Sequence, residues 1–381
     1  MANPGDGVGI SLRVSAGTIS HWLDRVSDHA FQNYPLLGLL KAKGLIKRIT
    51  GGGELRWPLV TSYPELTNLV DGQPMAFSRF NPLKNAVLPW ATHTAQQTIS
   101  PRERAENSGE AAKVKLFNLI TKNLQDGAIQ RLGPRLFYDG NAAGNELEWH
   151  GLETIFGITP GDQTAASEVA VTLADTYAGL STAYAGLVPG ASAGQPGYDA
   201  WSPVVLATNH TPAGGSQLSW ASNATTLARM AIRRLSYSSA RMDQPDVGIL
   251  TEQAHRQMLE LLESTHRTML GSSDLETRYG FKPVGGVNFE GVVFYWDRAC
   301  TSVDANSDVV QGYLLNTDKM KLYILNSDIP GAVKGKGDAS IFEFWRGLDP
   351  YTLQDLFRLV MFSQIAMESP RYFGKLAAIA A

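Results

Sequence analysis

The chain has 381 residues, 44% of them hydrophobic and 18% charged, with a formal net charge of −3. That composition is globular, long enough for two or three packed units, and it lacks the basic balance that a dedicated nucleic-acid binder needs. A single cysteine, Cys300, excludes an intrachain disulfide or a zinc cage and suits a reducing compartment. The start, "MANPGDGVGISLRV", has no basic and apolar signal-peptide pattern, and no apolar run approaches the roughly 20 residues that span a bilayer.

Residues 1–45 combine a glycine-rich start with "ISHWLDRVSDHAFQNYPLLGLL", where Trp22, Leu23, Val26 and Phe31 alternate with His21, Asp24, Arg25 and Asp28 at helical spacing. They read as an arm or lead-in helix. Residues 46–100 are different: strand-like pieces broken by Pro58, Pro64, Pro74, Pro82 and Pro89. Proline removes a ladder donor, so these strands are expected as edges or hairpin arms. The aromatics Trp57, Tyr63, Phe77, Phe80 and Trp90 sit among the breaks, giving a projecting loop whose apolar side chains seek a neighbour.

A long helix follows. Asn107 with Glu110 has capping-box spacing, and Phe117, Ile120, Leu124, Ala128 and Leu132 follow at steps of three and four until Gly133-Pro134 stops the run. At about 25 residues and roughly 37 Å, this is a spine. Residues 141–217 are rich in Gly, Ala, Ser, Thr and Pro and loop-like. Two amphipathic helices come next, "NATTLARMAIRRLSYSSA" and "TEQAHRQMLELLESTHRTM", with "QPDVGIL" between them as a turn entering a buried strand. The segments "VVFYW", "GYLLNT" and "KLYIL" read as strands, then comes a loop, "IPGAVKGKGDAS", and a closing apolar section, "DLFRLVMFSQIAMESPRYFGKLAAIA".

Chemistry is sparse. Ser181 in "GLSTA" approaches a nucleophile elbow, but Ala183 replaces its second glycine. "GAVKGKGD" lacks the spacing and hydroxyl of a phosphate loop, and the glycines at 51–53 lack its lysine. His255 and His266 lie about 16 Å apart along a helix, too far to share an ion. Glu146, Glu148 and His150 in "ELEWHG" would line one side of a strand, either as metal ligands or as a solvated face. No acid–base pair emerges.

The order of parts is informative: arm, proline-broken loop, spine helix, mixed α/β unit and closing apolar segment. With "LARMAIRRLSYSSARMDQPDVGILTEQAHRQMLELLE", "NFEGVVFYWDRAC", "GYLLNTDKMKLYIL" and "FRLVMFSQIAMESPRYFGKLAAI", it resembles the major capsid proteins of tailed bacteriophages, the Hong Kong 97 coat fold. The resemblance implies an α+β chain with an N-terminal arm at 1–45, an extended loop at 46–100, a peripheral domain from 101–160 and 321–381 with its spine at about 108–132, and an axial domain at 161–320. It implies a non-catalytic shell subunit, located in the virion and assembled in the bacterial cytoplasm, that forms pentamers and hexamers around double-stranded DNA with only weak, non-specific contact. The expected partners are copies of itself and separate scaffolding, portal and decoration proteins, without membrane, cofactor or metal. The arm begins almost at Met1, so no cleaved scaffolding region is expected. Trp57, Tyr63, Phe77, Phe80, Lys84 and Trp90 are the expected inter-subunit contacts. Some relatives cross-link a loop lysine to an asparagine; Lys84 lies in the right loop, but the asparagine and the catalytic glutamate have no match, and no cross-link is expected. Rival readings are an encapsulin-like compartment shell, and a hydrolase or metal enzyme built on Ser181 or on Glu146, Glu148 and His150.

Overall fold

A computed structural model describes residues 34–60, 83–106, 116–145, 147–156, 176–182, 201, 203–208, 218–236, 244–265, 286–301, 310–326, 333–334, 342–349 and 351–377. Most of the expected arm, residues 1–33, and the expected contacts Tyr63, Phe77 and Phe80 lie outside them, as do Glu146, His266 and the Asn107–Glu110 pair.

The first sheet has six strands. Its axis is β15 (Asp355–Met367), thirteen residues long and buried along most of its length. Along one edge it pairs antiparallel with β14 (Glu343–Leu348) and then with β12 (Met320–Asn326). Along the other lies β4 (Ala91–Ile99), in register from Asp355↔Ile99 to Ser363↔Ala91. The short β13 (Val333–Lys334) extends β14, and β1 (Ile46–Thr50) runs parallel to β12. Within the expected loop at 46–100, Glu54–Val60 and Leu83–Pro89 pair with each other apart from this sheet, whereas β1 and β4 are strands of it. The reason is pairing: each runs beside a long strand whose edge would otherwise carry unpaired N–H and C=O groups.

The second sheet runs β7 (Val204–Ala207), β16 (Gly374–Ala377), β11 (Gly312–Leu315), β8 (Val247–Leu250), β10 (Val292–Trp296), β9 (Val287–Phe289). Pairing is mixed: β7 with β16 and β8 with β10 are parallel, the rest antiparallel. Side chains alternate between two cores, as the period of a strand requires. Leu206, Leu250, Phe294, Leu314 and Leu376 join α5 (Trp220–Leu235) and α6 (Glu252–Thr265) through Ala224, Leu227, Leu235 and Met258. Val205, Ile249, Tyr295, Tyr313 and Leu315 point the other way, into the core shared with the first sheet. A sheet covered on both faces is written as near-continuous apolar runs, which is why "VVFYW" and "GYLL" read as strands. Each buried Leu or Phe contributes about 1.5–3 kcal/mol. The final strand β16 belongs to this second sheet, although the rest of the chain's end, through β15, builds the first. The β9–β10 connection is a two-residue turn, Glu290-Gly291, with both φ positive (51° and 87°), the geometry that matches strand twist.

The spine is α3 (Leu116–Arg135), with Ile120, Leu124, Ile129 and Leu132 buried against the sheet core. It does not stop at Gly133-Pro134 as expected; it ends two residues on. The bond that Pro134 cannot donate falls in the last turn, where Leu136, Phe137 and Tyr138 already hand their N–H groups to the residue three back. Gly133 serves packing instead: a Cβ there would lie 2.3 Å from the Tyr34 ring. The preceding short helix α2 (Pro101–Glu106) carries a capping box, with Ser100 Oγ accepting from Glu103 N–H at 3.2 Å and Glu103 Oε2 accepting from Ser100 N–H at 3.1 Å. The end of the expected arm is core as well. Helix α1 (Pro35–Ala42) buries Leu36, Leu37, Leu39 and Leu40 almost completely, because a run of four leucines has no reason to remain in water.

Candidate functional site

The described part of the expected contact loop is centred on the hairpin of β2 (Glu54–Val60) and β3 (Leu83–Pro89), antiparallel from Glu54↔Pro89 to Val60↔Leu83. It is a two-stranded ribbon, a structure of marginal stability without support. Support comes from its foot, where Leu55, Ala86 and Leu88 are buried in the common core, and from Trp57 and Leu59, which pack partly against it. The outermost described cross-strand pair, Val60 and Leu83, is 50% and 56% exposed. Pro58 is accommodated because each strand has a single partner.

Of the expected contact residues, three fall in this region. Trp57 is half-buried: its indole N–H donates to the Glu368 carbonyl at 3.0 Å, and its ring lies 6.5 Å from Tyr177. Trp90 donates to the Gly52 carbonyl at 2.9 Å, tying the start of β4 to the glycine turn at 51–53. Lys84 is exposed on β3, opposite Leu59. The polar ends of both tryptophans therefore serve their own chain, while part of each ring stays open. Between the hairpin and the ends of β12 and β15 lies a cleft of about 670 Å³, with Leu59, Trp57, Tyr323 and Tyr372 among its walls.

The candidate chemistry lies elsewhere. Ser181 is in β6 (Leu180–Ser181), paired with β5 (Thr176–Tyr177) across Ala178 and Gly179, both at positive φ. That is a tight hairpin, not a strand-to-helix elbow. "ELEWHG" is not a strand: its described residues run through turns and bends, because Trp149 is pulled into the core, where its indole donates to Ser363 Oγ at 2.8 Å. Glu148 is held by Arg135 at 3.0 Å, and Arg135 donates in turn to His93 Nδ1 at 2.7 Å. Burial, with the nearby Arg135 guanidinium, pushes His93 down to about 4, and burial lowers His150. Arg135 thus sits between Glu148 and His93, and Glu146 lies outside the described residues. Among the described residues no cluster of three metal-ligating side chains occurs.

Sequence reasoning missed a buried polar group on the second sheet. Lys375, on β16, reaches both carboxylate oxygens of Glu153 at 2.8 and 2.7 Å, with side chains only 3% and 6% exposed. Glu153 begins the one-turn helix α4 (Glu153–Phe156). The Tyr313 hydroxyl donates to the same carboxylate and accepts from Gln311 at 2.9 Å. Burial drives the Tyr313 phenol and the Cys300 thiol well upward, so neither is a ready nucleophile. The group is closed and mutually satisfied. Its signal in sequence was slight: single charges inside the apolar runs "LETIF" and "FGKLAAI".

No family model and no curated protein matches the chain. Solved structures do. The capsid of cyanophage A-1(L) aligns over 91% of this chain and 93% of its own, with a TM-score of 0.54 at 16% identity. Its fold is that of a phage capsid subunit. The capsid of an empty GTA particle aligns over 90% of both chains with a TM-score of 0.52 at 9% identity. The capsid of Myoviridae phage XM1 aligns over 88% and 90%, with a TM-score of 0.50 at 10% identity. The capsid fold thus spans nearly the whole chain. No described helix is long and apolar enough to cross a membrane.

Proposed function

We propose that this chain is the major shell subunit of a tailed-phage head, located in the virion and without catalysis. What carries the reading is end-to-end coverage, 91% of this chain on 93% of a phage capsid subunit, joined to a hairpin whose outermost described pair, Val60 and Leu83, is exposed. The first sheet with α3 acts as the peripheral unit and the second sheet with α5 and α6 as the axial unit that meets its copies around capsomer axes. Heterologous contacts closing at five and at six copies give rings, and curved sheets of rings give a container. Trp57, Tyr63, Phe77, Phe80, Lys84 and Trp90 belong to the contact region, since aromatic side chains dominate interface energetics. A net charge of −3 suits a wall that must release the DNA it encloses. Separate scaffolding, portal and decoration proteins complete the head.

Negative-stain microscopy of the full chain, expressed alone and with its neighbouring genes, tests this. Rings of five or six, or closed particles, are the expected result; a chain that stays monomeric under all these conditions overturns it. Joining Val60 to Leu83 through a short Gly-Ser turn is expected to leave the folded core intact and abolish assembly. DNA inside native particles supports a head, whereas protein cargo without DNA points to a compartment shell.

A further inference from the structure

A rigid apolar tip and a cationic cleft sit at opposite ends of β15. The tip is the turn between β14 and β15. Tyr351 is 95% exposed there, flanked by Leu348 at 54% and Leu353 at 62%. Exposed apolar side chains on a loose loop would carry little information, but this turn is locked. Asp349 accepts from Tyr351 N–H at 3.0 Å and from the Thr352 hydroxyl, its carbonyl accepts from Leu353 N–H at 2.8 Å, and its own N–H donates to the Gln354 carbonyl at 2.9 Å. Leu353 is held at φ +55°, a conformation a leucine adopts only under such constraint. Those hydrogen bonds also hold the Asp349 carboxyl below its usual range, so the tip keeps its negative charge. The backbone that carries Tyr351 is thus ordered before docking and has little entropy left to lose.

The cleft is the one at the hairpin foot. Four cations line it, Arg56, Lys319, Lys321 and Arg371, against one carboxylate, Glu368. Lys319 pairs with Glu368 at 2.9 Å and lies 5.2 Å above the Tyr372 ring, and Arg56 is held by Glu54. The floor is aromatic and apolar: Trp57, Leu59, Tyr323 and Tyr372. An occupant with an aromatic side chain and one negative charge fits it.

β15 is thirteen residues long, so tip and cleft lie on the order of 40 Å apart, and a chain cannot fill its own cleft. We propose that Asp349, Tyr351, Thr352 and Leu353 of one copy dock in this cleft on a second copy, Tyr351 entering between the aromatics and Asp349 facing Lys321. Two different patches of one chain make a heterologous contact, which propagates to rings or extended lattices rather than closing as a dimer. The inference rests on the shell reading for its partner, and adds to it which surfaces meet.

Cysteine exchange between copies tests it. The full-length Tyr351→Cys and Lys321→Cys chains are purified separately, one carrying a mass label, mixed under assembly conditions and oxidised with copper–phenanthroline. The native Cys300 is buried and does not compete. The expected product is a mixed disulfide between the two chains, absent when Leu147→Cys, also on the surface, replaces Tyr351→Cys. Tyr351→Ala is expected to weaken self-association by about tenfold or more, the scale of a central aromatic anchor. Particles that form normally while giving no mixed disulfide, or only Tyr351→Cys homodimers, overturn this contact and leave the shell reading standing. A parent chain that never self-associates overturns both.

Discussion

Two carboxylates are buried beside the second sheet, and the chain holds them by different means. Glu153, where α4 meets β16, has Lys375 on both oxygens and the Tyr313 hydroxyl besides. Asp297, at the end of β10, accepts only backbone N–H groups, from Ala299 at 2.9 Å and from Leu36 in α1. Its Oδ2 is buried without a hydrogen-bond partner. Burial raises the Asp297 pKa to about 7, against which the two amides pull only partway. A carboxylate matched by a cation fixes the register of strand against helix; one matched by amides alone leaves the fold linked to a proton.

The largest effect comes from breaking the matched pair. Glu153→Leu strands the Lys375 ammonium in the core, and chemical denaturation is expected to show a loss of about 3–5 kcal/mol. Glu153→Leu with Lys375→Met removes both charges and is expected to recover most of that loss, since an apolar pair of similar volume replaces a buried ion pair at little cost. A double variant as unstable as the single one would show that packing, not charge, holds this junction.

Asp297 behaves in the opposite way. Its folded pKa of about 7 lies above the ordinary 3.8, so between those values the folded chain binds the proton more tightly than the unfolded chain. Stability is then greatest below about pH 4, falls as pH rises towards 7, and is level above it. Asp297→Asn keeps the acceptor for Ala299 and removes the linkage. At pH 8 it is expected to be the more stable chain by up to about 4 kcal/mol, and near pH 4 to match the parent. Equal denaturation midpoints at both pH values would mean that water reaches Oδ2.

His93, in the first sheet, tilts the same window the other way. Its folded pKa of about 4 lies below the ordinary 6.5, so the unfolded chain binds the proton more tightly in that range and stability rises with pH from 4 to 6.5. Its contribution is about 3 kcal/mol, nearly opposing that of Asp297. The parent is therefore expected to show a shallow pH profile between 4 and 6.5. Asp297→Asn should expose a rising one, and His93→Gln a falling one, in denaturation midpoints taken across that range.

What could be read beforehand followed from periodicity and burial. "VVFYW", "GYLL" and "KLYIL" announced strands because their sheets are covered on both faces, and Ile120, Leu124 and Leu132 announced the spine because one helical stripe meets one sheet. The order of these parts, not any motif, carried the capsid resemblance. Sites set by distant partners stayed hidden. Nothing near Lys375 in sequence marks Glu153, 222 residues away; nothing in "ELEWHG" shows that Arg135 and His93 will surround Glu148; and the locked turn at Asp349 depends on hydrogen bonds that a "DPYTL" string does not display. The hairpin was legible as an edge from its prolines. That its foot is core was not, because Leu55 and Leu88 look like any other apolar residue until β15 supplies a floor.

The smallest effect sharpens the contrast between that foot and the buried junction. Trp57 stands where the hairpin leaves the core, and its indole N–H reaches the Glu368 carbonyl just beyond the end of β15. Trp57→Phe retains most of the aromatic area and removes only the donor. Glu368 is on the surface, its side chain 53% exposed, so water can replace the lost bond, and the cost in unfolding free energy is expected to be about 1 kcal/mol or less. The same change frees the hairpin from the strand that sets its angle. Amide hydrogen exchange in 54–60 and 83–89 is therefore expected to quicken while protection across β15 is unchanged. Were β15 to lose protection together with the hairpin, the foot would belong to the folding core, and the ribbon could not swing independently of the sheet that carries it.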